Sequence, residues 1–183
     1  MKGSFAGLVL CLFVFVASGQ ETTNQKKDAP KDPPVECPMH KPHLHGDKPS
    51  PAMNARGEEG MGFSQTSTTH HFLLKPAGGA IQVEANDPLD AVSRDNIRTH
   101  LKHIARAFSS GDFAIPMFVH DTVPPGVPEM KRLREKIKYS FEETPAGGRV
   151  VIQAADKESL EAIQKFLRFQ IQEHKTGDPT ELP

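Results

Sequence analysis

Apolar and polar side chains alternate from Thr69 to Lys75. Because successive residues of a strand face opposite sides, His70, Phe72 and Leu74 share one face and His71, Leu73 and Lys75 the other. The tetrapeptide Pro76-Ala77-Gly78-Gly79 follows, and its glycines suit a hairpin turn. On the return run Ile81, Val83 and Ala85 make an apolar face, and Gln82 and Glu84 a polar one. The pattern then becomes helical. Ile97, Leu101, Ile104 and Phe108 recur at the spacing of one buried stripe, with Asp87-Pro88 as a start signal and Gly111-Asp112 as the end. The same order occurs again further on. A strand-like run over 137–143 leads to Pro145-Ala146-Gly147-Gly148, a return strand over 149–155, and a helix over 157–174 that ends before Gly177-Asp178. That helix buries Leu160, Ile163, Leu167 and Ile171, which leaves Phe166 and Phe169 to pack on the preceding loop or to form a contact surface.

These coincidences predict an internal duplication. The expected fold is α+β: a β-β-α unit used twice, giving a four-stranded antiparallel sheet with both helices on one face. The two glycine pairs should occupy equivalent turns. Between the halves, 113–128 is a long proline-rich connection of the kind that is functional or folded on itself. A short helix over 129–135 follows it, and 62–69 forms an arm leading into the first strand.

The N-terminal part reads differently. Residues 1–19 combine Lys2, an apolar run from Phe5 to Val16 and the small residues Ala17-Ser18-Gly19, which predicts a cleaved secretory leader and a periplasmic or secreted product. No later stretch is apolar enough to cross a membrane. Residues 20–60 hold seven of the sixteen prolines and no aromatic residue, the composition of a disordered tail. The domain is then expected over 61–178, with a short C-terminal tail over 179–183. Lys and Arg number 22 against 23 Asp and Glu, and losing Lys2 with the leader makes the balance slightly more negative. With no basic stripe, this argues against a nucleic-acid partner. The leader also removes Cys11, so Cys37 remains without an internal disulfide partner.

Cys37 sits in Cys37-Pro38-Met39-His40-Lys41-Pro42-His43-Leu44-His45. Thiolate and thioether are soft donors that suit Cu(I); imidazole suits Cu(II), zinc and nickel. Cys37-Pro38-Met39-His40 resembles the core of the short heavy-metal-binding domain found in bacterial copper and silver efflux proteins. Val35 stands where that motif has a tyrosine, and Lys41 where it has a proline. The resemblance implies that Cys37, Met39 and His40 contact a transition metal. His43 and His45 extend the donor set.

Three histidines of the domain are candidates for a second site. His70 lies on the covered face of the first strand. His100 sits about 70° from the centre of its helix's stripe, and His103 about 130°, so His100 can look inward while His103 is solvated. His120 lies in the long connection, with Met117 nearby. At least two of the rings of His70, His100 and His120 are expected within about 6 Å of each other, close enough to share an ion. The alternative is three separate histidines, His70 being a core residue with one hydrogen bond.

Met61-Gly62-Phe63, Thr68-Thr69-His70, Gly78-Gly79, Ile97-Arg98-Thr99-His100-Leu101, Gly111-Asp112-Phe113, His120 and Pro125-Gly126 are similar to a group of small uncharacterised bacterial proteins sometimes labelled aspartate carbamoyltransferase. The chain has no Ser-Thr-Arg-Thr phosphate loop and no basic phosphate cradle, so that activity is excluded. Gly-x-Ser-x-Gly, His-Glu-x-x-His and P-loop motifs are absent too. The expected function is therefore an exported, non-enzymatic binding protein for copper, with zinc as the alternative ion, that captures metal or hands it to an efflux or chaperone protein. Two other readings are a protein-interaction module with an incidental His-rich tail, and a small metalloenzyme built on His70, His100 and His120. For the tail, replacing Cys37, Met39 and His40 together with Ala should weaken Cu(I) binding in an anaerobic titration and leave the melting temperature of the domain unchanged.

Overall fold

The computed structural model describes residues 49–182. The leader, the donors Cys37, Met39, His40, His43 and His45, and the tail as far as residue 48 lie outside the described residues. Among the described residues, helices and strands occur in the order α1 (Pro51–Met61), β1 (Thr68–Lys75), β2 (Gly78–Ala85), α2 (Ala91–Ser109), α3 (Ala114–His120), α4 (Val127–Arg132), β3 (Ile137–Thr144), β4 (Gly147–Ala154) and α5 (Lys157–His174). The strands form one antiparallel sheet in the order β1-β2-β4-β3.

The duplication is written into the register. The two-residue turns are Pro76-Ala77 and Pro145-Ala146 and not the glycines expected there: Gly78 and Gly147 already pair with Lys75 and Thr144 as the first residues of β2 and β4, because their lack of a Cβ is needed for close approach of the neighbouring strand. The hairpins join through β2 and β4, where Ile81 faces Val150. Either side of that pair the register is reciprocal: Gly78 faces Gln153, and Glu84 faces Gly147. The ends match as well, since Ala85 N donates to Ala146 O and Ala154 N to Ala77 O.

The helices repeat in the same way. Asp90 caps α2 by accepting from Ser93 N, and Asp156 caps α5 by accepting from Ser159 N. The cap of α2 is thus three residues later than the expected Asp87. Asp87 instead accepts from Leu89 N and closes a turn ahead of the helix. α2 packs mainly on β3 and β4, and α5 on β1, so each helix covers the other unit's hairpin more than its own. Phe72, Val83, Ile97, Leu101, Val150, Ile152, Ile163 and Leu167 fill the layer between sheet and helices. Burying each such side chain stabilises the fold by roughly 1.5–3 kcal/mol.

The tail boundary, the short helix and the buried stripe of α5 need correction, and the long connection takes one of its two expected forms. Residues 51–60, assigned to a disordered tail, are helical: Ser50 accepts from Met53 N, Pro51 takes the first turn, Gly62 ends the helix, and Met53 is buried. Weak amphipathicity hid this helix, because its anchor is tertiary: Arg56 Nε donates to Val119 O at 2.9 Å. The 113–128 connection folds on itself and carries α3 and the start of α4. The short helix expected over 129–135 begins at Val127, behind Gly126, and gives way to a 3-10 turn over Arg134–Lys136. Of the expected stripe on α5, Leu160 is only partly buried, whereas Phe166 is fully buried under the connection.

Gly126 makes that covering possible. Its φ is 87°, and a Cβ there would lie 2.2 Å from Ala162 O and 3.0 Å from Phe166 N. Gly62 has a similar φ of 76° but open space around it. Gly62→Ala should therefore cost only the left-handed penalty of about 1–2 kcal/mol. Gly126→Ala should cost more, about 3 kcal/mol or above, because backbone must also move; urea unfolding of the two variants measures the difference.

Candidate functional site

The duplicated halves differ in chemistry at three equivalent interior places. His70 is the third residue of β1, and the third residue of β3 is Tyr139. When Asp90 is laid on Asp156 and Gly111 on Gly177, His174 falls on Phe108 and His100 on Phe166. In one half, then, Phe108, Tyr139 and Phe166 form an aromatic cluster. Phe108 meets Tyr139 at 5.8 Å and Phe166 at 5.9 Å between ring centres, both edge to face. In the other half the same three places hold His174, His70 and His100. His70 and His174 lie 5.8 Å apart with rings inclined by 15°.

These imidazoles, with His120, line one cavity of about 60 Å³. β1 supplies His70, α2 His100, α3 His120, and the last turn of α5 supplies His174 together with Gln170 one turn back. Met61, at the end of α1, lines it as well. The remaining wall is apolar, and among the described residues no carboxylate lines the cavity. Phe63, on the arm, stands edge-on to His100 at 5.5 Å and against His70 at 6.0 Å.

The segment after α5 returns to β1. Asp178 accepts from Phe72 N, a backbone donor on the edge strand β1, and pairs with His71 Nδ1, each at 2.9 Å. Arg168 Nε donates to Thr180 O. The end of α5 is thereby tied to the strand that carries His70.

Burial keeps the rings neutral. It pushes the pKa of His70 down to about 4, helped by His100 and His71. It pushes His100 to about 4 as well, with His103 adding repulsion. His174 lies well below the ordinary histidine value through burial and the neighbouring His70 and His120. His120 is lowered by burial and by Arg56, against the opposing pull of its Gln170 hydrogen bond and of Glu173. That hydrogen bond joins His120 Nε2 and Gln170 Oε1 at 2.9 Å. His70 Nε2, His120 Nδ1 and Gln170 Nε2 are buried without a partner, each costing on the order of 1–3 kcal/mol.

His70, His100 and His120 line one cavity, but the ring contacts there do not join any two of these three. The close contacts run through a residue not singled out from the sequence: His174 meets His70 at 5.8 Å and His120 at 5.0 Å. Met117 does not join them; its Sδ faces Lys131 Nζ at 3.9 Å. Met130 is a core residue, and His103 is exposed as expected. Among the described residues, no three or more His, Cys, Asp or Glu side chains are grouped so as to hold a metal ion. A signal for His174 was present, since it continues the Ile163, Leu167, Ile171 stripe and matches the buried Phe108 under the repeat.

No protein-family model matches the chain, nor does any curated protein or solved structure. No described helix is long and apolar enough to cross a membrane.

A neutral buried histidine stabilises the fold only while it stays neutral. With a folded pKa near 4 and an unfolded value near 6.5 for His70 and His100, the unfolded chain binds more protons between those limits. Stability should be fully present above about pH 6.5 and fall as the pH drops towards 4, by up to about 1.4 kcal/mol per pH unit for each such histidine. Urea midpoints measured from pH 7.5 to 4 test this. Replacing His70 and His100 with their counterparts, Tyr and Phe, should flatten the dependence.

Proposed function

We propose that this chain is an exported transition-metal-binding protein, with copper as its ion, in which a Cys37-Pro38-Met39-His40 tail captures metal and the α+β domain holds it. One observation carries the domain's part: three places that pack as aromatic rings in one half are imidazoles in the other, and those imidazoles share a cavity with His120. A core needing only to be filled would take Phe and Tyr at both sets of places. Imidazoles there introduce buried nitrogens without partners, and a bound ion would remove that cost. Neutral imidazole is the form that ligates metal, and Met61, a residue type whose thioether suits copper, lines the same cavity.

The metalloenzyme reading on His70, His100 and His120 has less support, because the close ring contacts run through His174. An interaction module is favoured by one feature: Leu89 and Val92 are 87% and 73% exposed near the start of α2. Metal analysis separates the two main readings. Full-length protein purified anaerobically from its native compartment should carry about one copper or more per chain, and apo-protein should take copper up again. Protein that is copper-free as isolated, and that neither binds nor is stabilised by added copper, would overturn the proposal and leave the interaction reading.

A further inference from the structure

The two edges of the sheet are finished differently. Along an antiparallel strand, alternate residues turn their backbone groups towards the neighbouring strand and away from it. Lys136 O accepts from Ala155 N, just past β4, and Thr144 closes the hairpin opposite Gly147. Lys138, Ser140 and Glu142 therefore bond to β4, and Tyr139, Phe141 and Glu143 turn their N–H and C=O groups outward. On the other edge the equivalent of Phe141 is Phe72, the fifth residue of β1, and Asp178 accepts from its N–H. Gly111-Asp112 is the repeat counterpart of Gly177-Asp178, but it does not return to β3: Asp112 accepts from Ala114 N at the start of α3. Among the described residues nothing bonds to the outward groups of Tyr139 and Phe141. β3 runs for eight residues in unbroken register without a proline. A regular, uncovered edge of this kind is a template for another strand.

We infer that the β3 edge takes a second copy of this chain, the two β3 strands pairing antiparallel about Ser140 so that both sheets become one. This does not depend on which ion the protein binds. The partner is identified by the charges of the strand itself, which carries Lys138 near its start and Glu142 near its end. Pairing about Ser140 sets Lys138 opposite Glu142 of the second copy, and Glu142 opposite its Lys138. Tyr139 and Phe141 meet in the same crossed way on the helix side, and their outward backbone groups exchange hydrogen bonds. The contact is isologous, so each favourable pair is made twice. A parallel in-register pairing would set lysine beside lysine, and a slip of two residues would break both Lys138–Glu142 pairs. Lys138 has no ion pair among the described residues, and Glu142 uses Oε2 for Arg149, which leaves Oε1 for the lysine. A shallow depression lined by Arg106, Ser109, Ser110 and Tyr139 lies beside the edge and is open to the Phe141 of the second copy. Strand-edge pairing covers less surface than a permanent dimer needs, so the association is reversible.

The test follows the mass of full-length protein by sedimentation equilibrium from about 1 to 500 μM, with a thiol reductant and a metal chelator present. Those additions exclude dimers joined through Cys37 or through a metal on the tail. A monomer–dimer equilibrium with a Kd on the order of 10–100 μM is expected. Lys138→Glu sets acid opposite acid in both crossed pairs, and Glu142→Lys sets base opposite base. Each variant alone should weaken the dimer about tenfold. Both side chains are exposed, so the variants should melt close to the parent. An equimolar mixture of the two should dimerise about as tightly as the parent, because every introduced charge then meets its opposite on the other chain. The double variant should recover in the same way. Amide exchange at Tyr139 and Phe141 should slow at dimerising concentrations, and exchange at Phe72, already bonded to Asp178, should not change. Protein that stays monomeric up to about 500 μM would overturn the inference. Slow exchange at Tyr139 and Phe141 in such a monomer would assign the edge to the chain's own tail instead. A dimer that neither variant weakens, or that mixing does not restore, would overturn it too, because another surface would then join the copies.

Discussion

The antiparallel pairing of β2 with β4 is the constraint on which the rest of the domain depends. It joins two β-hairpins that would each be marginal alone. Its reciprocal register about Ile81 and Val150 sets how the two units face one another. With that register in place, α5 lies on β1 and α2 on β3. The close packing of the hairpins' glycines contributes to the same end: a Cβ at Gly147 would meet Val83 O at 2.1 Å, and one at Gly78 would meet Ile152 O at 2.0 Å. Residues 83 and 152 are themselves equivalent under the repeat.

A symmetric scaffold of this kind gives two sets of equivalent interior places, and the two sets need not carry the same chemistry. Phe108, Tyr139 and Phe166, joined by Phe113 at 4.3 Å from Phe108, are a hydrophobic core. Tyr139 pays a small penalty there, its hydroxyl being buried without a partner. The equivalent His174, His70 and His100 are supported by parts that have no repeat: α1, the arm with Phe63, α3, and the segment ending in Asp178. Each closes one side of the cavity or fixes one ring. Packing thus stabilises one half, and the other half carries donors at some cost to stability.

Acid sensitivity follows from the same division. The aromatic half has no group that titrates near neutrality, whereas the imidazole half holds rings kept neutral by burial and by each other. Asp178 stands at the margin of that half, bridging His71 and the backbone of Phe72, so the fastening of α5 to the edge strand adjoins the rings it positions.

Much of this fold is determined locally and was therefore legible in the chain. Strand alternation at Thr69–Lys75, the repeated Pro-Ala-Gly-Gly turns, the helical stripes and the paired Gly-Asp endings depend on near neighbours, and each led to the observed element. The inward lean of His100 followed from helical phase. What stayed hidden depended on contacts between distant parts. α1 forms although its own residues make a weakly amphipathic helix, because Arg56 reaches Val119 and Met53 finds a buried place. Phe166 is buried because Gly126 lets the connection approach α5 to a distance no side chain would allow. His174 belongs beside His70 because β1 is packed by the helix of the other unit, a pairing made by the sheet and not by sequence separation. Periodicity along the chain determined which faces are apolar; only the tertiary structure decided which faces meet, because that depends on the register of β2 with β4 and on the non-repeated parts that close over it.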